Sequence, residues 1–301
     1  MKAAVFAFVL VAAMVFLAGC VQEREQGEKP LIALASFPLY EAVGEIAGDD
    51  FEVWLMQPPG LNAHSYEPTP KEIARLGEAD AFVFTGRYFE LWAQKASENT
   101  LQKGALVIEA SEAVELLESD AENEPFDPHV WMSAKNYGLM LGHIAKKLSE
   151  KYPEKKAEIE ARAAKYAQKA GVLDMQMREG LENCEKKEIY VSHAAFGYLA
   201  RDYGLEQVPI IKSFEPQGDE VSISELRELV DSARERNVTH VFFEEFVSPK
   251  MSEALAREVG ATTSVLSPME AYSREQIGEG RLYSYVMREN LKTLEGALGC
   301  G

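Results

Sequence analysis

Pro153-Glu154-Lys155-Lys156-Ala157-Glu158-Ile159-Glu160-Ala161-Arg162-Ala163-Ala164-Lys165-Tyr166-Ala167-Gln168-Lys169-Ala170, continuing to about Leu181, is a run of strong helix formers. Ile159, Ala163, Tyr166 and Ala170 mark one face at helical spacing. At the standard rise, about 29 residues span roughly 44 Å. No strand-like run interrupts the segment, although Gly171 would permit a bend. It stands as a peripheral helix or as a rigid strut between two halves of the chain.

On its N-terminal side, short β-rich apolar runs at 31–35, 51–56, 81–85 and 105–109 alternate with helical patterns. The same alternation returns on the C-terminal side at 188–192, 208–211, 239–243 and 262–266. Alternation of this kind predicts α/β architecture: two lobes, each with a mainly parallel sheet flanked by helices, joined by one long rigid helix. Helix starts are marked by Thr69-Pro70-Lys71-Glu72, Ser222-Ile223-Ser224-Glu225 and Ser248-Pro249. Asp127 to Lys151 also reads as one helix after an opening loop. The domain reading is 1–20 signal peptide, 21–30 tether, 31–152 N-terminal lobe, 153–183 linking helix and 184–301 C-terminal lobe.

The 301 residues carry 31 Lys plus Arg against 49 Asp plus Glu, a formal charge of −18. A basic nucleic-acid groove is excluded as a working reading, since phosphate neutralisation needs concentrated positive charge. The stretch 146–169 leans basic, but glutamates break it throughout. Lys2 is followed by an apolar run from Ala3 to Ala18 and then Gly19-Cys20, too short for a confident membrane span and laid out like a secretory signal. That places the protein outside the cytoplasm, where Cys184 and Cys300 stand as free thiols or as one disulfide. Without a Cys-x-x-Cys pair, thiol redox chemistry and a thiolate zinc site are poor fits.

Of five histidines, His64, His129 and His193 sit beyond predicted strands or ahead of helices. Ligands bind in the crevice at the carboxyl ends of strands in open α/β sheets. Three imidazoles gathered there would suit zinc, with nickel, copper or iron open and manganese less favoured. Separations of 65 and 64 residues do not constrain geometry, so spacing and context alone leave structural histidines as the commoner outcome. His143 reads as a helix-flank residue and His240 as a strand-edge polar group. His-Glu-x-x-His, Gly-x-Ser-x-Gly, the phosphate loop and Gly-x-Gly-x-x-Gly are all missing. A metal-dependent hydrolase would need a carboxylate base, and Glu67, Asp127 and Glu244 are unranked candidates. The acidic stretch 118–124 reads as a solvated loop.

Five motifs then fall in order along the chain: Asn62-Ala63-His64-Ser65-Tyr66-Glu67-Pro68, Gly86 to Glu90 with Trp92, Asp127-Pro128-His129-Val130-Trp131, Ser192-His193-Ala194-Ala195-Phe196-Gly197-Tyr198, and Tyr283-x-x-x-Met287-x-x-Asn290. Together they resemble the solute-binding lipoproteins of zinc and manganese ABC transporters. Leu17-Ala18-Gly19-Cys20 is similar to the lipobox of such proteins. The resemblance implies lipidation of Cys20 and a lipid anchor on the outer face of the membrane or in the periplasm. It implies a monomer holding one metal ion between its lobes, His64 and His129 from the first and His193 from the second. The ion is passed to a permease driven by an ATPase, with no catalysis. Three histidines point to Zn2+ rather than Mn2+, because manganese-type members carry glutamate at the position matched by His193.

Three features depart from the family pattern. Leu266-Ser267-Pro268-Met269-Glu270 stands where an aspartate usually supplies the fourth ligand, and a serine hydroxyl is a poor substitute. Either water or Glu270 completes the shell, or the affinity falls. A histidine-rich loop is absent, with 118–124 in its region. Asp219-Glu220-Val221-Ser222 replaces a usual Glu-Pro-Ser. An exported hydrolase, or an adhesive or structural lipoprotein with a degenerate site, are the competing readings. Neutral imidazoles are needed for metal binding, so weakening is expected as pH falls through about 6.5.

Overall fold

The computed structural model describes residues 29–119, 124–214 and 221–301. The predicted signal segment with Cys20, the tether up to residue 28, most of the acidic tip at 120–123 and Asp219-Glu220 lie outside the described residues.

All eight predicted strands form. The first sheet contains β1 (Leu31–Leu34), β2 (Glu52–Leu55), β3 (Ala81–Phe84) and β4 (Leu106–Glu109) in the order β2-β1-β3-β4, every pairing parallel. The second contains β5 (Glu188–His193), β6 (Glu206–Ile211), β7 (His240–Phe243) and β8 (Thr262–Val265) in the matching order β6-β5-β7-β8, again all parallel. Burial explains which runs are central. Leu31-Ile32-Ala33-Leu34 and Ala81-Phe82-Val83-Phe84 are buried at every position because helices cover both faces. Thr262-Thr263-Ser264-Val265, at an edge, stays partly exposed.

The helices of the first half are α1 (Tyr40–Ala47), α2 (Pro70–Leu76), α3 (Leu91–Gln102) and α4 (Ala134–Lys151). Then comes α5 (Lys156–Glu182), followed by α6 (Gly197–Tyr203), α7 (Ile223–Glu235), α8 (Lys250–Val259), α9 (Arg274–Gly278) and α10 (Tyr283–Leu298). Capping boxes at Thr69 and Ser222 start α2 and α7 as read from sequence. After the opening loop from Asp127, the helix begins at Ala134. A single turn at Val130–Met132 precedes it, and Ser133 caps the true start by accepting from the Asn136 N–H.

The long helix lies between the lobes. It buries Ile159, Ala163, Tyr166, Ala170, Leu173, Met177 and Leu181 in one apolar cluster that also holds residues of both halves. The ring of Tyr137 on α4 stacks on Tyr283 of α10, and the Tyr283 hydroxyl donates to the Trp131 carbonyl at 2.8 Å. Glu41 on α1 accepts from both the main-chain N–H (2.8 Å) and the hydroxyl (2.7 Å) of Ser284. Tyr198 of α6 donates to the Asp127 carbonyl at 2.9 Å. These contacts hold the C-terminal half against the N-terminal half around the cleft.

The sequence leaves Cys184 and Cys300 open; they form a disulfide that joins the segment just after α5 to the segment just after α10, 116 residues apart. Cross-linking so long a loop restricts the unfolded chain, so Cys184→Ser is expected to cost about 2–5 kcal/mol. A denaturant titration of the two proteins checks this, and equal midpoints would show the bond to be energetically idle.

Candidate metal centre

In each sheet the connections that follow the two central strands run to opposite sides, which opens a crevice at the carboxyl ends, between β1 and β3 in one lobe and between β5 and β7 in the other. The three histidines named from sequence all arrive there.

His64 comes from the loop between β2 and α2. Its main-chain N–H is accepted by Asn62 Oδ1 at 2.8 Å, a local turn that aims the ring inward against the edge of Phe89. His129 precedes the turn before α4. Asp127 Oδ1 accepts from its main-chain N–H (2.9 Å) and pairs with its ring Nδ1 (2.8 Å). His193 ends β5, and its Nδ1 pairs with Glu244 Oε1 at 2.5 Å, the same oxygen that accepts from the Ser192 hydroxyl. A carboxylate on Nδ1 fixes ring orientation and leaves Nε2 facing the centre. Glu67, the third carboxylate considered, is exposed and takes no part.

The fourth donor is Glu270. Its Oε1 lies 2.9 Å from His129 Nε2, 3.0 Å from His193 Nε2 and 3.6 Å from His64 Nε2; the two nearest imidazole nitrogens of His64 and His129 are 3.1 Å apart. Donor atoms of all four residues fall within 4.8 Å of one another. Ser267 has a different task. Its hydroxyl accepts from the Met269 N–H at 3.3 Å, while its main chain exchanges two hydrogen bonds with the Asn290 side chain at 2.9 and 2.8 Å. Met269 sits at φ +62°, a left-handed conformation that is costly for a non-glycine residue and that turns Glu270 inward. Trp131 Nε1 donates to the Pro268 carbonyl at 2.7 Å, and the Glu270 carbonyl accepts from Gln57 Nε2 (2.7 Å) and the Ala63 N–H (2.9 Å). A loop from the C-terminal half is thereby fastened to the N-terminal lobe.

The donor set fits zinc. At a usual ligand distance of about 2.0–2.1 Å, the edges of a tetrahedron are about 3.3 Å, and the spacings above bracket that value. His129 and His193 are fully buried, and Glu270 nearly so. His143 and His240 stay apart from this cluster, near Glu112 and Thr239 respectively. At the described ends of the acidic stretch, Glu118 forms a backbone bridge with Phe126 and is exposed, and the Glu124 carboxylate accepts from the Ser213 hydroxyl and the Phe214 N–H at 2.9 and 3.0 Å.

Electrostatics split the three imidazoles, correcting the single value near 6.5. Burial lowers His64, and the Glu270 carboxylate only partly offsets it. Burial also opposes charge on His129, yet Asp127 and Glu270 together raise it. For His193 the desolvation cost is outweighed by Glu270 and Glu244, and the group rises to about 10. Glu270 is held well below the ordinary carboxylate range: burial works against this, and His193 and His64 overcome it. The stabilisation from protonated His193 is complete below the unfolded value near 6.5 and is lost as pH climbs through about 10. That from Glu270 is present above its ordinary value near 4.5 and is lost as pH falls through the depressed one.

A two-lobed α/β chain with a buried donor set at the facing strand ends has the form of a solute-binding receptor for a metal ion. The chain belongs to the family described as zinc-uptake complex component A, periplasmic (ZnuA), whose model matches residues 32–297. It is similar to the high-affinity zinc uptake system protein ZnuA of Bacillus subtilis, 34% identical over 97% of this chain and 96% of that protein. It is also similar to the zinc-binding lipoprotein AdcA of Streptococcus pneumoniae serotype 4, 35% identical over 93% of this chain; the match spans 58% of AdcA's length. Among solved structures, the Zn(II)-bound ZnuA-like domain of Streptococcus pneumoniae AdcA superimposes with a TM-score of 0.79 at 35% identity, over 90% of this chain and 99% of that one. Membership makes the protein an extracytoplasmic zinc-binding receptor serving an ABC transporter, in a family of receptors rather than enzymes.

Because His193 carries a proton at neutral pH, a metal ion entering this cluster must displace it. Calorimetric zinc titration at pH 7 in two buffers of different ionisation enthalpy is expected to show at least about one proton released per zinc. Apparent affinity should rise about tenfold per pH unit from 6 to 8; a flat profile would contradict the protonated cluster.

Proposed function

We propose that His64, His129, His193 and Glu270 are the ligands of one zinc ion, which the protein binds outside the cytoplasm and delivers to an ABC permease and its ATPase. The carrying observation is the convergence of those four donors within 4.8 Å in a buried pocket. A closed set of three imidazoles and one carboxylate suits zinc, whereas manganese favours six oxygen-rich ligands. Four protein donors also leave no position for a water nucleophile, which favours a carrier that catalyses nothing over a hydrolase. Glu270 supplies the donor that Ser267 lacks, which favours a working site over a degenerate adhesive one. In the same reading residues 31–152 and 184–301 are the lobes, 153–183 is the linking helix, and the receptor is a monomer tethered through a lipid on Cys20 after cleavage of residues 1–20.

Titration of the metal-stripped protein is expected to give tight one-to-one zinc binding and weak manganese binding. His129→Ala should weaken zinc by about 100-fold or more, since it removes a buried donor. Saturable binding of neither ion, or an unchanged His129→Ala isotherm, would overturn the assignment.

A further inference from the structure

Asn62 is a buried amide joined to two of the four donors at once. Its Oδ1 accepts from the His64 N–H at 2.8 Å, and its Nδ2 donates to Glu270 Oε2 at 2.8 Å. The two ends are not interchangeable, because the His64 main chain offers a donor and the Glu270 carboxylate offers only an acceptor. Glu270 therefore presents Oε1 alone to His64, His129 and His193. Its other oxygen points away, satisfied by the amide.

A carboxylate can bind a metal through one oxygen or both. One-oxygen binding here totals four donors, the number zinc prefers; two-oxygen binding totals five and moves the site toward metals of higher coordination number. We propose that Asn62 is a specificity-determining residue that keeps Glu270 to one-oxygen ligation and so favours zinc over manganese. The inference rests on the ligand set proposed above. Asn62 acts through Glu270 and touches no metal, so it is a positioning residue.

The test uses full-length, metal-stripped protein titrated with zinc, manganese and cobalt, the last because its visible absorption is intense in a tetrahedral site and weakens with a fifth ligand. Asn62→Ala removes both bonds. Asn62→Ser keeps an oxygen for the His64 N–H but is too short to reach Oε2. Both variants are expected to lower the zinc-over-manganese preference by about tenfold or more, in the range seen when outer-shell partners are removed, and to weaken the cobalt bands. Agreement between them would assign the effect to the Glu270 contact. If Asn62→Ala fails to fold by circular dichroism, Asn62→Ser alone decides. A parental cobalt spectrum and parental metal preference in Asn62→Ser would overturn the proposal. Glu270→Ala separates the two levels: a parental spectrum there removes Glu270 from the ligand set and the Asn62 role with it, whereas a changed spectrum keeps the ligand set whatever Asn62 does.

Discussion

Three imidazole nitrogens and one carboxylate oxygen share a pocket closed to water, and the arrangement is tenable only because charges of both signs are present. Glu270 buried alone would carry a large desolvation cost, as would protonated His129 or His193. Placed together, with Asp127 and Glu244 behind two of the rings, Glu270 and the His129 and His193 imidazoles hold one another toward the charged form, while His64 is pushed toward the neutral one. With the ligand set proposed above, cargo binding would be an exchange of positive charges inside a prebuilt cage. The rest of the fold serves that cage: two sheets aim their carboxyl ends at it, and the loop bearing Glu270 reaches across to Gln57, Ala63 and Trp131.

The two sheets repeat more than a strand order. In the second, Ser192 at the end of β5 and Glu244 just past β7 are hydrogen-bonded, and Glu244 orients His193. In the first, Ser36 just past β1 donates to Glu90 beyond β3 at 2.5 Å, at the corresponding crevice. There the carboxylate accepts from the main-chain N–H groups of Thr85 and Gly86 instead, and burial raises its pKa. One structural solution, a hydroxyl and a carboxylate at the strand switch point, thus buttresses backbone in one lobe and a histidine in the other. The residue after the serine decides which: Phe37 in the first lobe, His193 in the second.

Much of this was legible in the sequence because it is written locally. Central strands such as Leu31–Leu34 are continuous apolar runs, and the Ile159-Ala163-Tyr166-Ala170 stripe is the buried face of the long helix. Thr69 and Ser222 announce their helices within four residues. The three histidines stood out through their Pro, Asn, Asp and Ser neighbours. What stayed hidden depends on partners far apart in the chain. Glu244 lies 51 residues from His193, and no periodicity links them. Asp127 was readable as a neighbour of His129, yet nothing local distinguished it from Glu67. The sequence leaves Glu270 in competition with water, because its inward turn depends on the left-handed Met269 and on Asn290 holding the Ser267 main chain. A signal did exist there: a serine in place of an acid, with an acid three residues on.

The bridge between Cys184 and Cys300 bears on where this molecule can be finished. The bond closes a ring of chain containing the whole second sheet. Reducing cytosol does not sustain such a bond, whereas an oxidising exterior does. A newly made chain would therefore meet the export machinery with that ring still open and easily threaded. Maturation of the second lobe is in this sense an address stamp, completed only on the side of the membrane where the metal is to be collected.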